Sequence, residues 1–474
     1  MRKYHIANIK SGYDAASRSP ESMRHFKNAD PLAADAALNP SVRKTIIHRA
    51  RYEVFNNGYA DGIINTLAED TIGTGPRLQL TPKVPTAYNT FLQGREERFA
   101  AWASAVKLTK ILKIARMTKA RDGEVFIRIV QNSKIRSHAK FSVMLYESEQ
   151  VGSSIISDVA TYHENGVPKE YDGIIFDEEG NPEFYRFWKV HPGAHGISFS
   201  TEDSFTIPAD RVLHYANFVR PGQHRGVSEI ASTLNIFNDF RRFSNAVLSA
   251  AETAAEISFV LSTKNSSDDG SEYENSENNG SPIKFMDVVE LVRNAGLALP
   301  DGYEISQLKA EQPTDKYVDY IDAKISECAR PLSMPFAIAK GDCSKSNYAS
   351  GRLDHQAYHK KIYGERQDII DVILDPLLRE FEDFDQIAFP EAYQIPVRHS
   401  WMWDGFEHVD PVKEANAQAI RLQNNTTTLA EECAREGKDF ETTIHQIAYE
   451  NELKKKLGIN NTSVTGKEFS EDEE

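Results

Sequence analysis

Apolar side chains recur at helical spacing over most of this sequence, and the polar breaks between them mark out its elements. Ile46, Ile47, Ala50, Val54 and Phe55 line one helical face, which breaks at Asn56-Asn57-Gly58. Ile63, Ile64 and Leu67 resume it until Gly73-Thr74-Gly75-Pro76, read as a turn. Residues 90–121 read as one helix anchored by Phe91, Phe99, Trp102 and Val106. Its Lys107, Lys110, Lys113, Arg116 and Lys119 recur every third residue, so the series drifts about 60° per step and only two or three share a face. A solvated face is expected there, with an ionic seam to an adjacent subunit as the alternative.

The period then falls to two. Val125, Ile127 and Ile129 alternate with Phe126, Arg128 and Val130, and Phe141, Val143 and Leu145 repeat the pattern. Residues 173–176 and 183–190 flank Asp-Glu-Glu-Gly-Asn, a hairpin turn with Gly180 and Asn181 available for positive φ. Residues 208–215 read as the last strand of this part. Helical spacing returns from Val227 to about Glu256, with small residues gathered towards its end. Residues 262–282 are low-complexity and too polar to pack, and are expected to be mobile.

The stretch from Pro313 to Tyr363 organises the rest. Tyr317, Tyr320, Ile321 and Ile325 mark a helix that Pro331 and Pro335 stop. A polar loop from Gly341 to Ser350 follows, and helical spacing resumes near Leu353. Such a loop, held out between two helices, is where function tends to sit. Beyond it a helix runs through Ile369 to Leu378 and should kink at Pro376. Residues 398–404 suggest a short strand or turn. Asp410-Pro411 opens a helix, Thr426-Thr427-Thr428 precedes another, and Ile444 to Leu457 forms a last one.

Charge narrows the function. At 474 residues the chain exceeds one ordinary domain, and its formal charge of −15 argues against a tight sequence-specific DNA binder. An acidic wall repels phosphate, which suits a conduit through which DNA must slide. No run of 18 apolar residues occurs, so no membrane insertion is expected, nor is a secretory signal at the start. Three cysteines at wide spacing, Cys328, Cys343 and Cys433, fit small, mostly buried thiols in a reducing cytoplasm rather than disulfides or zinc.

Four stretches, in order along the chain, carry a resemblance. MPFAIAKGDCSKSNYASGR is similar to the lP...l.GD.S.SNYSS.R signature of the lambda-type bacteriophage portal proteins, rings at one capsid vertex that pass DNA in and out. GYADGIINTLAEDTIGTGPRLQ, PGQHRGVSEIASTL and WMWDGFEHVDPVKEANAQ fall in the family's order, so the resemblance covers roughly residues 12–458. It implies an α+β portal fold with an α/β wing, a long-helix stem, a small α/β clip and a mainly helical crown. Residues 1–40, polar and punctuated by Pro20, Pro31 and Pro40, are expected to be an extended arm ordered against a neighbouring subunit; by correspondence, 41–220 are the wing and 221–256 the first stem helix. Residues 257–312 are the clip with its acidic loop at 262–282, 313–335 the second stem helix and 336–352 the channel loop. Wing- or crown-proximal helices at 353–405, crown helices at 406–460 and a disordered acidic tail at 461–474 complete it.

The resemblance implies no enzyme and no cofactor. It implies a homo-oligomeric ring of twelve subunits, made in the host cytoplasm and built into the virion. Its partners would be double-stranded DNA without sequence preference, the terminase large subunit, capsid and scaffold proteins and a head–tail adaptor. Ser344, Lys345, Ser346, Asn347 and Tyr348 would approach DNA in the channel, positioning phosphate or sugar without reading sequence. The same loop could instead be a subunit seam. The alternative class is a monomeric or dimeric nucleic-acid-processing enzyme dependent on nucleotide or metal. Its best motif, Ala339 to Ser346, lacks both glycines of a phosphate-binding loop and has no strand leading in. Cys343 with His355 lacks a recognisable oxyanion site, and His191 and His214, at strand ends, lack carboxylates or thiols at ligand spacing.

Overall fold

The computed structural model describes residues 16, 19–82, 90–153, 161–194, 203–256, 260–263, 303–306, 316–344, 348–406 and 411–458. The chain divides into two units, residues 1–234 with 328–474, and residues 235–327.

The first unit starts with two short helices, α1 (Pro20–His25) and α2 (Ala34–Ala37). The arm is therefore partly helical, and α2 is tied down: the Tyr171 hydroxyl donates to the Asp35 carbonyl at 2.8 Å. Asn39 caps the start of α3 (Pro40–Asn56), and Asn57 caps the start of α4 (Gly58–Ile72), so the expected polar break is the end of one helix and the start of the next. Strand β1 (Arg77–Pro82) precedes α5 (Thr90–Val106) and α6 (Leu108–Asp122). The single helix expected over 90–121 is thus two, because Lys107 takes a left-handed φ of 58° and turns the chain.

Strands β2 (Glu124–Gln131) and β3 (Phe141–Tyr146) form where the period of two places them. Then come β4 (Thr161–Tyr162), β5 (Pro168–Tyr171), β6 (Ile174–Phe176), β7 (Pro182–Trp188) and β8 (Ser204–Pro208), joined in that order as one antiparallel sheet. Gly180 supplies the positive φ of the β6–β7 turn; Asn181 does not need it. Residues 209–211 form a tight turn, and β9 (Val212–Ala216) pairs with β2, giving a second sheet of order β3-β2-β9. The strand expected over 208–215 is therefore split between two sheets.

Strand β2 is buried on both faces, which is why its sequence is almost continuously apolar. Val125, Ile127 and Ile129 join a core with Phe99, Trp102, Leu112 and Phe381 from the helices, while Phe126 joins Ile174, Tyr185 and Phe187 of the five-stranded sheet. Trp102 stacks on Phe141 at 4.5 Å and donates its indole N–H to the Phe141 carbonyl at 3.0 Å.

The helix that enters the second unit, α7 (Leu234–Glu256), starts at Leu234 after a 3-10 turn over Ala231–Thr233, later than the expected Val227. Strands β10 (Val260–Thr263) and β11 (Tyr303–Ser306) pair antiparallel, and α8 (Tyr317–Ala329) follows. Phe243 of α7 meets Tyr320 at 4.2 Å and Tyr317 at 5.8 Å, so aromatic contact joins the two helices. Ser262 and Thr263, the first residues of the low-complexity acidic stretch 262–282, belong to β10, and the rest of that stretch lies outside the described residues.

Back in the first unit, α9 (Phe336–Lys340), α10 (Tyr348–Ile369) and α11 (Asp375–Ala388) follow. The kink expected at Pro376 is a π-helical turn over Ile370–Leu374, which relieves the missing donor and ring clash of that proline. Strand β12 (Val397–Met402) pairs antiparallel with β1, bringing the chain's late portion against its early one. Helices α12 (Pro411–Gln423), α13 (Leu429–Arg435) and α14 (Phe440–Lys456) complete it. Thr428 and Glu431 form a capping box on α13, so the threonine run is a helix start, as its position suggests. No helix among the described residues is long and apolar enough to cross a membrane.

Candidate nucleic-acid interface

The polar loop is shorter than its sequence suggested. Pro335 starts α9, Gly341 ends it with a φ of 71°, and α10 begins at Tyr348, so the loop proper is 341–347. Lys345, Ser346 and Asn347 lie outside the described residues; Ser344 is exposed, and Tyr348 opens α10. The entry to the loop is built. One carboxylate oxygen of Asp342 accepts the Ser344 N–H at 2.9 Å, and the other faces the Lys340 ammonium at 3.3 Å. The Ser344 backbone, its hydroxyl and Lys340 hold the Asp342 carboxyl down at about 2. A helix leads into this loop, not the buried strand that a phosphate-cradling loop requires.

The exit is anchored at its far end. Tyr358 of α10 is buried, and its hydroxyl donates to Asp70 at 2.8 Å. Arg366 donates to three carbonyls, Thr71 at 2.9 Å, Asp404 at 3.1 Å and Asp70 at 3.2 Å, two of them orphan acceptors at the C-terminus of α4. Its guanidinium also lies over Trp403 and Phe406. One residue earlier, buried Glu365 takes the Lys119 ammonium at 2.7 Å, with Arg116 at 3.7 Å and the Tyr215 hydroxyl beside it. Burial pushes the Glu365 carboxyl up, but Arg116 and Lys119 outweigh it and hold the group well below the carboxylate range.

Two members of the basic series of α5–α6 are therefore internal. Arg116 pairs with Glu229 at 2.7 Å and Lys119 with Glu365, both inside one chain, while Lys107 and Lys110 are exposed. Neither a single solvated face nor a seam with another subunit describes the series. The clue lay beside them: Leu112 and Ala115 put Arg116 and Lys119 next to an apolar stripe, where a cation needs a partner.

A second buried centre sits between the two sheets. Glu124, fully buried, faces Arg225 at 2.7 Å, Arg43 at 3.3 Å and the His214 imidazole at 2.9 Å, and accepts the Gly226 N–H at 2.8 Å. Burial opposes its ionisation, but Arg225, His214 and Arg43 together hold it well below the ordinary range. Gly226 passes so close to the backbone of Gly123 that any Cβ there would overlap the Gly123 carbonyl. The Arg-Gly pair of Pro-Gly-Gln-His-Arg-Gly thus has a structural task.

His214 lies in the middle of β9, not at a strand end, and is satisfied by Glu124. His191 departs from its expected setting: Glu147 and Glu149 approach it, and one ligand atom from each of the three lies within 4.8 Å of the others. Their separation in sequence hid this. Arg51 already binds both carboxylates, Glu149 at 2.8 Å and Glu147 at 3.2 Å. The His191 Nδ1 accepts the Gly193 N–H at 2.9 Å, so the neutral ring carries its proton on Nε2, towards Glu147. Among the described residues no recognisable catalytic constellation is assembled.

Residues 20–366 match the family model "Phage portal protein, lambda family". The chain belongs to that family. As a portal protein, it forms an oligomeric ring for DNA packaging. A similar relative is the probable portal protein of Halomonas phage phiHAP-1, 23% identical over 439 residues, covering 88% of this chain and 82% of that one. Solved structures that this portal protein matches include the virion of a native gene transfer agent particle, at 13% identity and TM-score 0.43 over 84% of this chain and 93% of that chain. Another is the neck of the native particle computed with C12 symmetry, at 14% identity and TM-score 0.40 over 84% and 94%.

Proposed function

We propose that twelve copies form the ring at one capsid vertex, with the 341–347 loop facing double-stranded DNA in the channel. The observation that carries the reading is the construction around that loop: a turn pinned by Asp342 on entry, and a 22-residue helix clamped near its end by Glu365 and Arg366 on exit. A polar segment held between fixed points can touch passing phosphate without gripping it. The aromatic pairing of α7 with α8 supports a two-helix stem, and the antiparallel β10–β11 pair supports a clip between those helices. The sheets and helices of residues 41–220 would form the wing, and the helices after residue 406 the crown. Its partners would be the terminase large subunit at the clip, capsid and scaffold proteins around the wing, and a head–tail adaptor after packaging. Its place would be the virion.

The test is Lys345→Glu in the phage. The expected outcome is that rings assemble with normal subunit number while the DNA retained per head falls several-fold, because like charge repels phosphate inside the channel. Failure of the variant to assemble rings would make the loop a subunit seam instead.

A further inference from the structure

An open cleft of about 810 Å³ lies between β1, α5, α6 and the start of α14, all within the first unit. Its floor is apolar, with Leu78, Phe99 and Met402, and its rim carries Lys107, Lys110 and Lys113. Acidic groups also line it, but two of them are occupied. Glu96 accepts the Leu80 N–H, and Asp439 caps α14 while accepting from Gln79. Glu97 remains, against three lysines that make no ion pair with any described residue.

We propose that this cleft seats the acidic segment Glu468–Glu474 of the same chain. The segment places one aromatic, Phe469, among five carboxylates: Glu468, Glu471, Asp472, Glu473 and Glu474. An aromatic suits the apolar floor, and the carboxylates suit three uncommitted lysines in a chain of net charge −15. A nucleic-acid backbone would supply the anions but nothing for the floor. Reach is sufficient. Thr442 lines the cleft, and Lys456, near the end of α14, is about 21 Å of helix away. The residues between 456 and 469 span up to roughly 43 Å when extended. Seated there, the segment keeps the three lysines from binding phosphate, a useful trait where DNA must pass without sticking. The assignment stands on the cleft and the sequence, independently of where the 341–347 loop points.

The test is amine acylation of the full chain, read lysine by lysine by mass spectrometry at low salt. Replacing the five carboxylates by amides (E468Q, E471Q, D472N, E473Q, E474Q) is expected to raise the rates at Lys107, Lys110 and Lys113 at least three-fold. Exposed Lys44 and Lys134 should not change. Phe469→Ala, which keeps every charge, should release the same lysines by a smaller factor, and so should 0.5 M salt on the unaltered chain. Unchanged rates at the three lysines under all three treatments overturn the proposal. So does equal protection of altered and unaltered chains by a duplex DNA probe, which would assign the cleft to nucleic acid.

Discussion

Glu124 and Asp342 are both held below the ordinary carboxylate range, by opposite constructions. Glu124 is fully buried and owes its state to residues far away in sequence: Arg43, His214 and Arg225. Asp342 is half-buried and owes its state to its own turn, with Ser344 and Lys340 each two residues away. The Asp342 contacts are local enough to recur in the unfolded chain, so much of the shift cancels between the two states. The Glu124 contacts exist only in the folded unit. A depressed carboxyl therefore reports tertiary stability in the first case and loop geometry in the second.

The largest effect should come from Glu124→Gln. It removes the charge facing two buried guanidinium groups and is expected to cost about 3–5 kcal/mol, a drop of roughly 5 °C in Tm by differential scanning calorimetry. A drop of less than about 2 °C would mean that Asp172, which also pairs with both arginines, suffices alone.

Acid titration gives the next effect. Glu124 and Glu365 have lowered folded pKa values, so the stability they add is present above about 4.5 and is lost as pH falls through their folded values. His214 is buried, and its pKa is lowered by that burial despite Glu124, so it also favours the folded state above about 6.5 and less below. Chemical denaturation at successive pH values should show stability falling from pH 6.5 and more steeply below 4.5. Glu124→Gln should flatten the lower limb; an unaltered limb would place the acid sensitivity elsewhere.

The smallest effect on stability belongs to Asp342→Ala. Its Tm and acid limb should match those of the unaltered chain. Limited proteolysis should instead cut faster between Cys343 and Asn347, because the turn at the loop entry is released. A lowered Tm would show that this turn is part of the tertiary structure after all.

Much of the fold was legible. The apolar periods of α3, α4 and β2, the asparagine break before Gly58 and the threonine cap at α13 all state their roles in local sequence. What stayed hidden was non-local or conformational. Nothing in a lysine announces the left-handed turn at Lys107, and a glutamate opening a strand reads as exposed until Arg43 and Arg225 arrive around it. Of the candidate interface, the loop was visible as a polar gap between proline stops and a helix. Its anchorage was not, since Glu365 finds Lys119 across more than two hundred residues. Helix α9 was missed because five residues are too few to show a period.

The central claim is a ring, and mass photometry of the purified full chain, backed by negative-stain images, tests it most directly. The account predicts particles near twelve times 53.4 kDa with a central hole. A chain that stays single across protein and salt concentration and also hydrolyses nucleotide would contradict it.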